Sequence, residues 1–374
     1  MEKKQIYRRI FAFGLAFFLV VAALLLLTAS KTVSVAVRNA LNLCLNTLIP
    51  SLYSFMILSS FIMSTEGMNP LLRPFYPLTR YLFKENGDCT AVIFLSMIAG
   101  YPVGAKLIAE RVKQKKLSLE SAEQMMCYCV NAGPAFLISG ISAAKFSSLA
   151  VGFYILAAHI ISNLIIGFFM NLRRKIPEKT HETDTRRERE SLSGALINSV
   201  NGATKSMAMI CSMVIAFSVI LSLLDSLGII RSLVATLQGI FPKEIPLEQI
   251  IPGIFEVTQG CLSVKEHQVL SIYLVAGLTA FGGICVHFQI IAMVHGTGIR
   301  LKKYFITRIW HVFNSIALCF IMIRWMNPDL EVFAPGEPIQ IERYSASPMA
   351  SCFLIFLCVL LLLSSRKSDK MKKG

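Results

Sequence analysis

Ten long apolar blocks dominate this sequence, and they restrict the possible fold more than any other feature. They cover residues 10–29, 35–63, 91–109, 122–141, 149–171, 195–224, 248–264, 267–295, 303–325 and 349–365. A helix needs roughly 17 to 25 apolar residues to cross a bilayer. Eight blocks are long enough, whereas those around residues 100 and 256 are too short or too interrupted. With 55% hydrophobic and 16% charged residues, the chain is predicted to be an all-α polytopic membrane protein.

Lysine and arginine gather in short segments beside these blocks, at residues 3–9, 111–116, 173–189, 300–308 and 366–373. Such segments stay in the cytoplasm, so the net charge of +15 indicates topology and not nucleic-acid binding. The segment 326–342 is acidic without lysine or arginine and is predicted to face outside. Both termini are predicted to be cytoplasmic. The first apolar run is longer than a signal-peptide core, which favours an uncleaved first span over a cleaved signal peptide.

This charge order permits one simple path through the membrane, in which two blocks leave by the face they enter. The blocks 91–109 and 248–264 are therefore predicted to be re-entrant hairpins. The order span, hairpin, span, span then occurs twice with opposite orientation, which is an inverted repeat. The predicted parts are an anchor helix (1–34), a first repeat (35–172), a cytoplasmic linker (173–194), a second repeat (195–326), and an external loop with a last span and basic tail (327–374).

Glycine and proline interrupt both hairpins and the span that follows each of them. The interruptions are Gly100-Tyr101-Pro102 and Gly104, Pro252-Gly253 and Gly260, NAGP at 131–134, and FGG at 281–283. Irregular backbone survives at membrane depth only where it is buried in protein or lines a watery cavity. Freed amides, carbonyls and half-helix ends can hold an ion or a polar solute. We therefore predict a binding site near the bilayer midplane.

Glu256 is the strongest single candidate for a residue of this binding site, because a carboxylate in an apolar hairpin implies a cation, a proton or a polar ligand. A shallow hairpin with Glu256 in headgroup water is the alternative. His287 and Gln289 should flank the same cavity, although His287 could equally be structural. Asn131 could bind solute or satisfy a carbonyl freed by the proline. The predicted binding residues are Gly100, Tyr101, Asn131, Pro134, Glu256, Thr258, Gln259, Gly283, His287 and Gln289.

Three further expectations concern residues outside this set. Lys106 and Glu110 are spaced to form an ion pair, with Lys106 favoured to reach the cytoplasmic surface. Residues 158–170 align on 310–322, which pairs His159 with His311; helix–helix hydrogen bonding is favoured for both over a ligand role. The ten cysteines are scattered without a CxxC pair or His/Cys cluster, so neither disulfides nor a metal site is predicted.

Four stretches resemble a known family: SMIAGYPVGAKLIAE (96–110), VNAGPAFLI (130–138), FEVTQGC (255–261) and AFGGICVHFQI (280–290). They are similar to the sporulation integral membrane proteins typified by YlbJ, which carry the nucleoside-recognition or Gate domain. The resemblance covers about residues 35–325. It implies a protein of the bacterial cytoplasmic membrane with a fold similar to concentrative nucleoside transporters, which are also inverted repeats with two hairpins.

Together these patterns predict about eight transmembrane helices with two re-entrant hairpins, and translocation or binding of a small polar solute, with nucleosides as one candidate. Coupling to H⁺ or Na⁺ through Glu256 is a hypothesis, and no cofactor is predicted. The alternative is a non-transporting membrane component or sensor needed for spore formation. The sequence has no nucleophile–base pair, metal-ligand spacing or phosphate loop, so an enzyme is not expected. Lipid and the solute are the predicted partners, and a homo-oligomer is compatible with the sequence.

Overall fold

A computed structural model describes residues 2–65, 72–87, 89–175, 191–242, 244–264 and 269–326. These residues form helices and no strand, which confirms the predicted all-α class. The predicted external loop, last span and basic tail (327–374) lie outside the described residues, as does most of the predicted linker.

Among the described residues up to 171, we number eight helices in order and leave out a single 3-10 turn at Arg73–Phe75. They are α1 (Glu2–Thr28), α2 (Ser30–Thr65), α3 (Tyr76–Leu82), α4 (Cys89–Ala99), α5 (Val103–Lys113), α6 (Leu119–Tyr128), α7 (Ala135–Phe146) and α8 (Leu149–Asn171). Helix α2 widens to a π-helix over Cys44–Tyr53, around Pro50, and α7 begins with a π-helix over Ala135–Ser142. Proline lacks the amide proton of a regular turn, which fits the wider turns around Pro50.

The remaining helices repeat the order of α2 to α8. They are α9 (Leu192–Ser226), α10 (Ile229–Gln238), α11 (Leu247–Phe255), α12 (Val257–Ser263), α13 (Val269–Phe281), α14 (Gly283–Val294) and α15 (Lys302–Met326). Each series contains a long helix, a short helix, a helical hairpin, an interrupted helix and a final long helix. We call α2–α8 the first half and α9–α15 the second half. The short helices α3 and α10 were not predicted.

Among the residues that the structure describes, five stretches are long and apolar enough to cross a membrane: Ser30–Thr65, Leu149–Asn171, Leu192–Ser226, Val269–Val294 and Lys302–Trp325. The protein is therefore a multi-pass membrane protein, although the expected eight spans are not all present as continuous helices. The block 122–141 is divided between α6 and α7, and the block 349–365 lies outside the described residues. The block 10–29 falls mostly in α1, and only Ala29 separates α1 from α2, where Val33 N–H donates to the Ala29 carbonyl at 3.0 Å.

The two halves pack against each other through corresponding helices. Helix α2 packs on α9, and α8 packs on α15. The first hairpin (α4–α5) contacts α2 and α14, while the second hairpin (α11–α12) contacts α13 and α14. The hairpin arms have 11, 11, 9 and 7 residues. At 1.5 Å per residue, none of these arms can cross a bilayer core about 30 Å thick.

Candidate functional site

The tip of each hairpin packs directly on the break in the interrupted helix of the same half. At the first tip, Gly100 has a positive φ of 75°, and a Cβ there would lie 2.5 Å from the Gly133 nitrogen. A Cβ on Gly104 would lie 1.9 Å from the Cys129 carbonyl oxygen. Only glycine permits backbones to approach this closely. The first break, residues 129–134, is therefore held against the first hairpin by main chain.

The second tip repeats this arrangement with different residues. Gly283 has a positive φ of 74°, and its Cβ would lie 3.1 Å from the Val257 nitrogen and 3.2 Å from the Gly253 carbonyl oxygen. Gly253 and Gly260 bring the arms α11 and α12 together, since a Cβ on Gly260 would lie 2.1 Å from the Gly253 Cα. The glycines singled out in the sequence thus set the contacts around both tips.

Both hairpin tips and both interrupted helices surround one small cavity, which we call the central cavity. It has a volume of about 20 Å³ and is lined by Leu48, Leu52, Tyr101, Gly133, Phe136, Ile210, Val214, Glu256, Val257, Thr258, Val286 and Gln289. These residues come from α2, both hairpins, both interrupted helices and the middle of α9. All four glycine- and proline-containing interruptions therefore border one cavity.

Glu256 supplies the only carboxylate among the residues that line the central cavity, and it is 1% exposed. The residue is extended (φ −137°, ψ 111°) between α11 and α12 and caps α12. Its Oε1 accepts from the Thr258 amide at 3.1 Å and its Oε2 from the Gln259 amide at 2.7 Å. Two amide donors and the positive end of the α12 dipole compensate the buried charge. Glu256 is therefore structural as well as cavity-lining.

Of the remaining predicted residues, Tyr101, Thr258 and Gln289 line the cavity with Glu256, and Gly100 and Gly283 shape its walls. The Tyr101 hydroxyl donates to the Thr279 carbonyl at 3.4 Å, which joins the first hairpin to the second half. Gln289 Nε2 donates to Cys285 Sγ at 3.4 Å.

Six of the ten predicted residues do not line the central cavity: Gly100 and Gly283, Gln259, which lines a second space described below, and His287, Asn131 and Pro134. The expectation that His287 flanks it is wrong, because His287 Nδ1 lies 2.9 Å from the Tyr304 hydroxyl and its ring is surrounded by Phe281, Tyr304 and Phe305. Asn131 Nδ2 donates to the Tyr128 carbonyl at 3.0 Å, which supports the carbonyl-satisfying alternative. Pro134 lies at the start of α7 and ends the first break.

Arg308 contacts the first break, although its position in the basic segment 300–308 predicts the cytoplasmic surface. It is 2% exposed and lies in α15 against the end of α6. Its Nη1 donates to the Val130 carbonyl at 2.6 Å and its Nη2 to the Cys127 carbonyl at 2.9 Å. The guanidinium also lies 5.2 Å from the centre of the Tyr304 ring. A cation is favourable at the negative end of a helix, so Arg308 holds the first break from the second half.

A second and much larger space, the large cleft, opens beside the second hairpin. It has a volume of about 1290 Å³ and lies between α2, α9, α10 and the second hairpin. Gln259 lines it, and Gln259 Nε2 donates to Ser218 Oγ at 2.6 Å. Because Glu256, Val257 and Thr258 line the central cavity, the first turn of α12 contributes residues to both spaces.

The two halves also meet through charged and histidine side chains. Arg300 Nε donates to Glu123 Oε1 at 2.7 Å, which joins the loop before α15 to α6. His159 Nε2 bonds the Ala276 carbonyl at 3.1 Å and His311 Nδ1 lies 2.8 Å from Ser162 Oγ, so the favoured helix–helix role has its hydrogen bonds. The two imidazole rings lie 5.0 Å apart.

Other ionic contacts fix the ends of the first hairpin. Lys106 Nζ lies 3.9 Å from Glu110, so the expected ion pair is present, but Lys106 also donates to the Gly202 carbonyl of α9 at 3.0 Å. Glu85, in the loop before α4, bonds Arg174 at the end of α8. Burial raises the pKa of the Glu85 carboxyl, while the Arg174 guanidinium opposes this shift. In the part of the chain that the structure describes, no group of three His, Cys, Asp or Glu residues could hold a metal ion.

The fold and the site together define the class of protein: it is a multi-pass helical membrane protein in which two hairpins and two interrupted helices enclose one cavity. Over 383 aligned residues the chain is 25% identical to the sporulation integral membrane protein YlbJ of Bacillus subtilis strain 168, covering 91% of this chain and 92% of that protein. The similarity extends over nearly the whole of both chains, which confirms the resemblance indicated by the four motifs. No family model matches it, and no solved structure matches it.

Proposed function

We propose that this protein binds a small polar solute in the central cavity and moves it across the cytoplasmic membrane of a spore-forming bacterium. The observation that carries the proposal is the convergence of both hairpin tips and both interrupted helices on Glu256 and its neighbours. Breaks in membrane helices are costly unless the freed polar groups find partners, so they concentrate where a ligand binds. The name of the YlbJ relative, a sporulation integral membrane protein, supports a role in spore formation.

We further propose that the two halves form an inverted repeat with both termini in the cytoplasm. The equal order of elements in α2–α8 and α9–α15 supports this relation, as do the glycine contacts at each tip. The basic segments that border the first hairpin and precede α15 support the cytoplasmic placement of these ends. The Gate-domain assignment and the likeness to nucleoside transporters belong to the same proposal.

The size of the central cavity indicates a closed state. A volume of about 20 Å³ is enough for about one water molecule. A pocket for a drug-sized ligand has roughly 300–1,000 Å³. A nucleoside-sized solute would therefore need the first turn of α12 to move and join the central cavity to the large cleft. A single Na⁺ or a proton with one water needs no such movement, so coupling through Glu256 is compatible with the closed cavity.

The test is uptake into proteoliposomes made with the purified full-length chain, screened with nucleosides first and then with other small polar metabolites. Thr258→Val removes a hydroxyl beside the cavity at nearly constant volume, and we expect it to lower transport without loss of protein. Thr236→Val is the matched control, because Thr236 lies on the exposed helix α10 and bonds only its own helix at Ser232. Equal uptake by both variants would contradict the cavity assignment.

The second candidate is a membrane component or sensor that supports spore formation without transport, which the small closed cavity also fits. The two candidates differ in measurable ways. If no solute moves, and Glu256→Gln and Thr258→Val both support normal spore formation in the host, the transport proposal is wrong. Thermal-shift screening of the purified protein then identifies a ligand that binds without being moved, because such a ligand raises the melting temperature.

A further inference from the structure

The large cleft has a property that solute transport does not require: each of its charged lining residues stands within three residues of a helix end. Lys31 is the second residue of α2, Arg231 the third of α10 and Glu248 the second of α11, while Asp225 is next to last in α9. In the other direction the lining changes to Asn39 and Leu43 on α2 and to Ser218 on α9, as well as Gln259 and Leu262 on α12. Eight residues of helix separate Lys31 from Asn39, which is about 12 Å.

The walls between these ends are largely apolar. Val35 and Ala36 line the cleft from α2, Leu221 from α9, and Val234 and Ala235 from α10. Helix α10 also exposes large apolar side chains, including Ile229 and Leu233, which suit contact with lipid. An apolar cleft of this size beside a bilayer is not filled favourably by water. Its natural occupant has a charged head and an apolar tail.

The charged residues that line the cleft near these helix ends have both signs. This mixture of signs distinguishes between lipids with different headgroups. Arg231 Nε and Asp225 Oδ1 lie 3.8 Å apart and form an ion pair. Among the described residues, Lys31 and Glu248 have no ion-pair partner within 4 Å, so a cation and a carboxylate remain for a ligand. A headgroup with both a phosphate and an ammonium group matches this pair, whereas a purely anionic headgroup would meet the Glu248 carboxylate.

We propose that the large cleft binds a zwitterionic phospholipid with a primary ammonium group. Its phosphate lies at Lys31, its ammonium group lies at Glu248, and one acyl chain follows the apolar walls toward Gln259 and Leu262. The chain end then contacts the first turn of α12, which is the wall of the central cavity. A bound lipid at this position holds the second hairpin in its closed place, so lipid binding and access to the cavity are coupled.

The first test is native mass spectrometry of the full-length protein, delipidated in detergent and mixed with phosphatidylethanolamine, phosphatidylcholine or phosphatidylglycerol. We expect phosphatidylethanolamine to be retained most. Exposed ion pairs contribute roughly 0.2–1 kcal/mol, so Glu248→Gln should reduce its retention by roughly one and a half- to fivefold. Lys31→Gln should reduce retention of all three lipids. Lys113→Gln and Glu120→Gln, which do not line the cleft, are the matched controls. Stronger retention of phosphatidylglycerol, or equal profiles in cleft and control variants, would overturn the proposal.

The second test fills the cleft without changing its charges. Ala235→Trp places a large side chain into the cleft from the exposed side of α10, so the fold should survive. Ser232→Trp is the control, because Ser232 is also exposed on α10 but does not line the cleft. We expect only Ala235→Trp to lose bound lipid, and equal retention would contradict the site. Lipid retention is measured in detergent without any solute, so this result is separate from the outcome of the transport assay.

Discussion

Gly260 provides the most direct test of the second hairpin, because its substitution affects backbone and not a flexible side chain. A Cβ on Gly260 would lie 2.1 Å from the Gly253 Cα and 2.7 Å from the Gly253 nitrogen. Neither atom can rotate away. In Gly260→Ala the arms α11 and α12 must separate, and since ordinary contact begins at 3.4 Å, the required displacement is about 1.3 Å.

This displacement sets the expected size of the effect. Overpacking a close-packed interior costs typically about 1–3 kcal/mol, and relief here requires movement of a whole helix. The same movement carries Glu256 and Thr258 away from Gln289, because the residues belong to the tip and to its neighbour. We therefore expect Gly260→Ala to lower the melting temperature and to change ligand binding in the central cavity.

Thermal unfolding of the purified protein in detergent, followed by intrinsic fluorescence, measures the first effect. Gly140→Ala is a matched control, since Gly140 also lies in a described apolar helix but its Cβ would meet only the Thr47 methyl group at 3.3 Å before other contacts at 3.6 Å or more. The control should melt close to the wild type. If both variants melt alike, the arms of the second hairpin are not in main-chain contact, and the geometry assigned to the tip is wrong.

Three further outcomes follow from the contacts between the halves. Arg308→Met leaves two buried carbonyls without donors, which costs roughly 1–3 kcal/mol of folding stability for each carbonyl. Its melting temperature should therefore fall more than that of Arg308→Lys. Equal melting temperatures would contradict the role of Arg308 as the donor to these carbonyls. Glu123→Gln removes the charge that bonds Arg300 and should lower the melting temperature, more at low salt than at high salt; an effect independent of salt would exclude an electrostatic cause. Impermeant thiol labelling of Lys113→Cys and Glu248→Cys in vesicles, with native thiols blocked first, should mark opposite faces; labelling from one face would contradict the inverted repeat.

The breaks could be predicted from the sequence because glycine and proline have few uses in an apolar helix. Gly100, Gly104, Gly253 and Gly260 stand in blocks too short to span, and the structure places each in a close main-chain approach. The residue types alone therefore indicate irregular backbone. The convergence on one cavity followed from topology, because two hairpins of this length have their tips at similar depth.

The direction of single side chains could not be predicted in the same way. His287 follows the second break by four residues, which placed it in the cavity, but its ring turns to Tyr304 on α15. Arg308 ends a basic run and was assigned to the surface, whereas packing of α15 on α6 carries it into the interior. Both errors have one cause, because a helix face is assigned to a neighbour only when the tertiary packing is known.

The first and the second hairpin each form one wall of the central cavity, and different contacts hold the two walls in place. On one side, Gly100 and Gly133 place main chain against main chain, so separation would require two backbone segments to part. On the other side, main chain also meets main chain where Gly283 approaches the Val257 amide, and the Gln259–Ser218 hydrogen bond holds the first turn of α12 as well. A typical hydrogen bond contributes a net of only about 0.5–1.5 kcal/mol. Glu256 moves with α12 because it caps that helix, so the carboxylate stays compensated during movement. The large cleft lies beside the second hairpin, so a movement of α12 is the one that would join the two spaces.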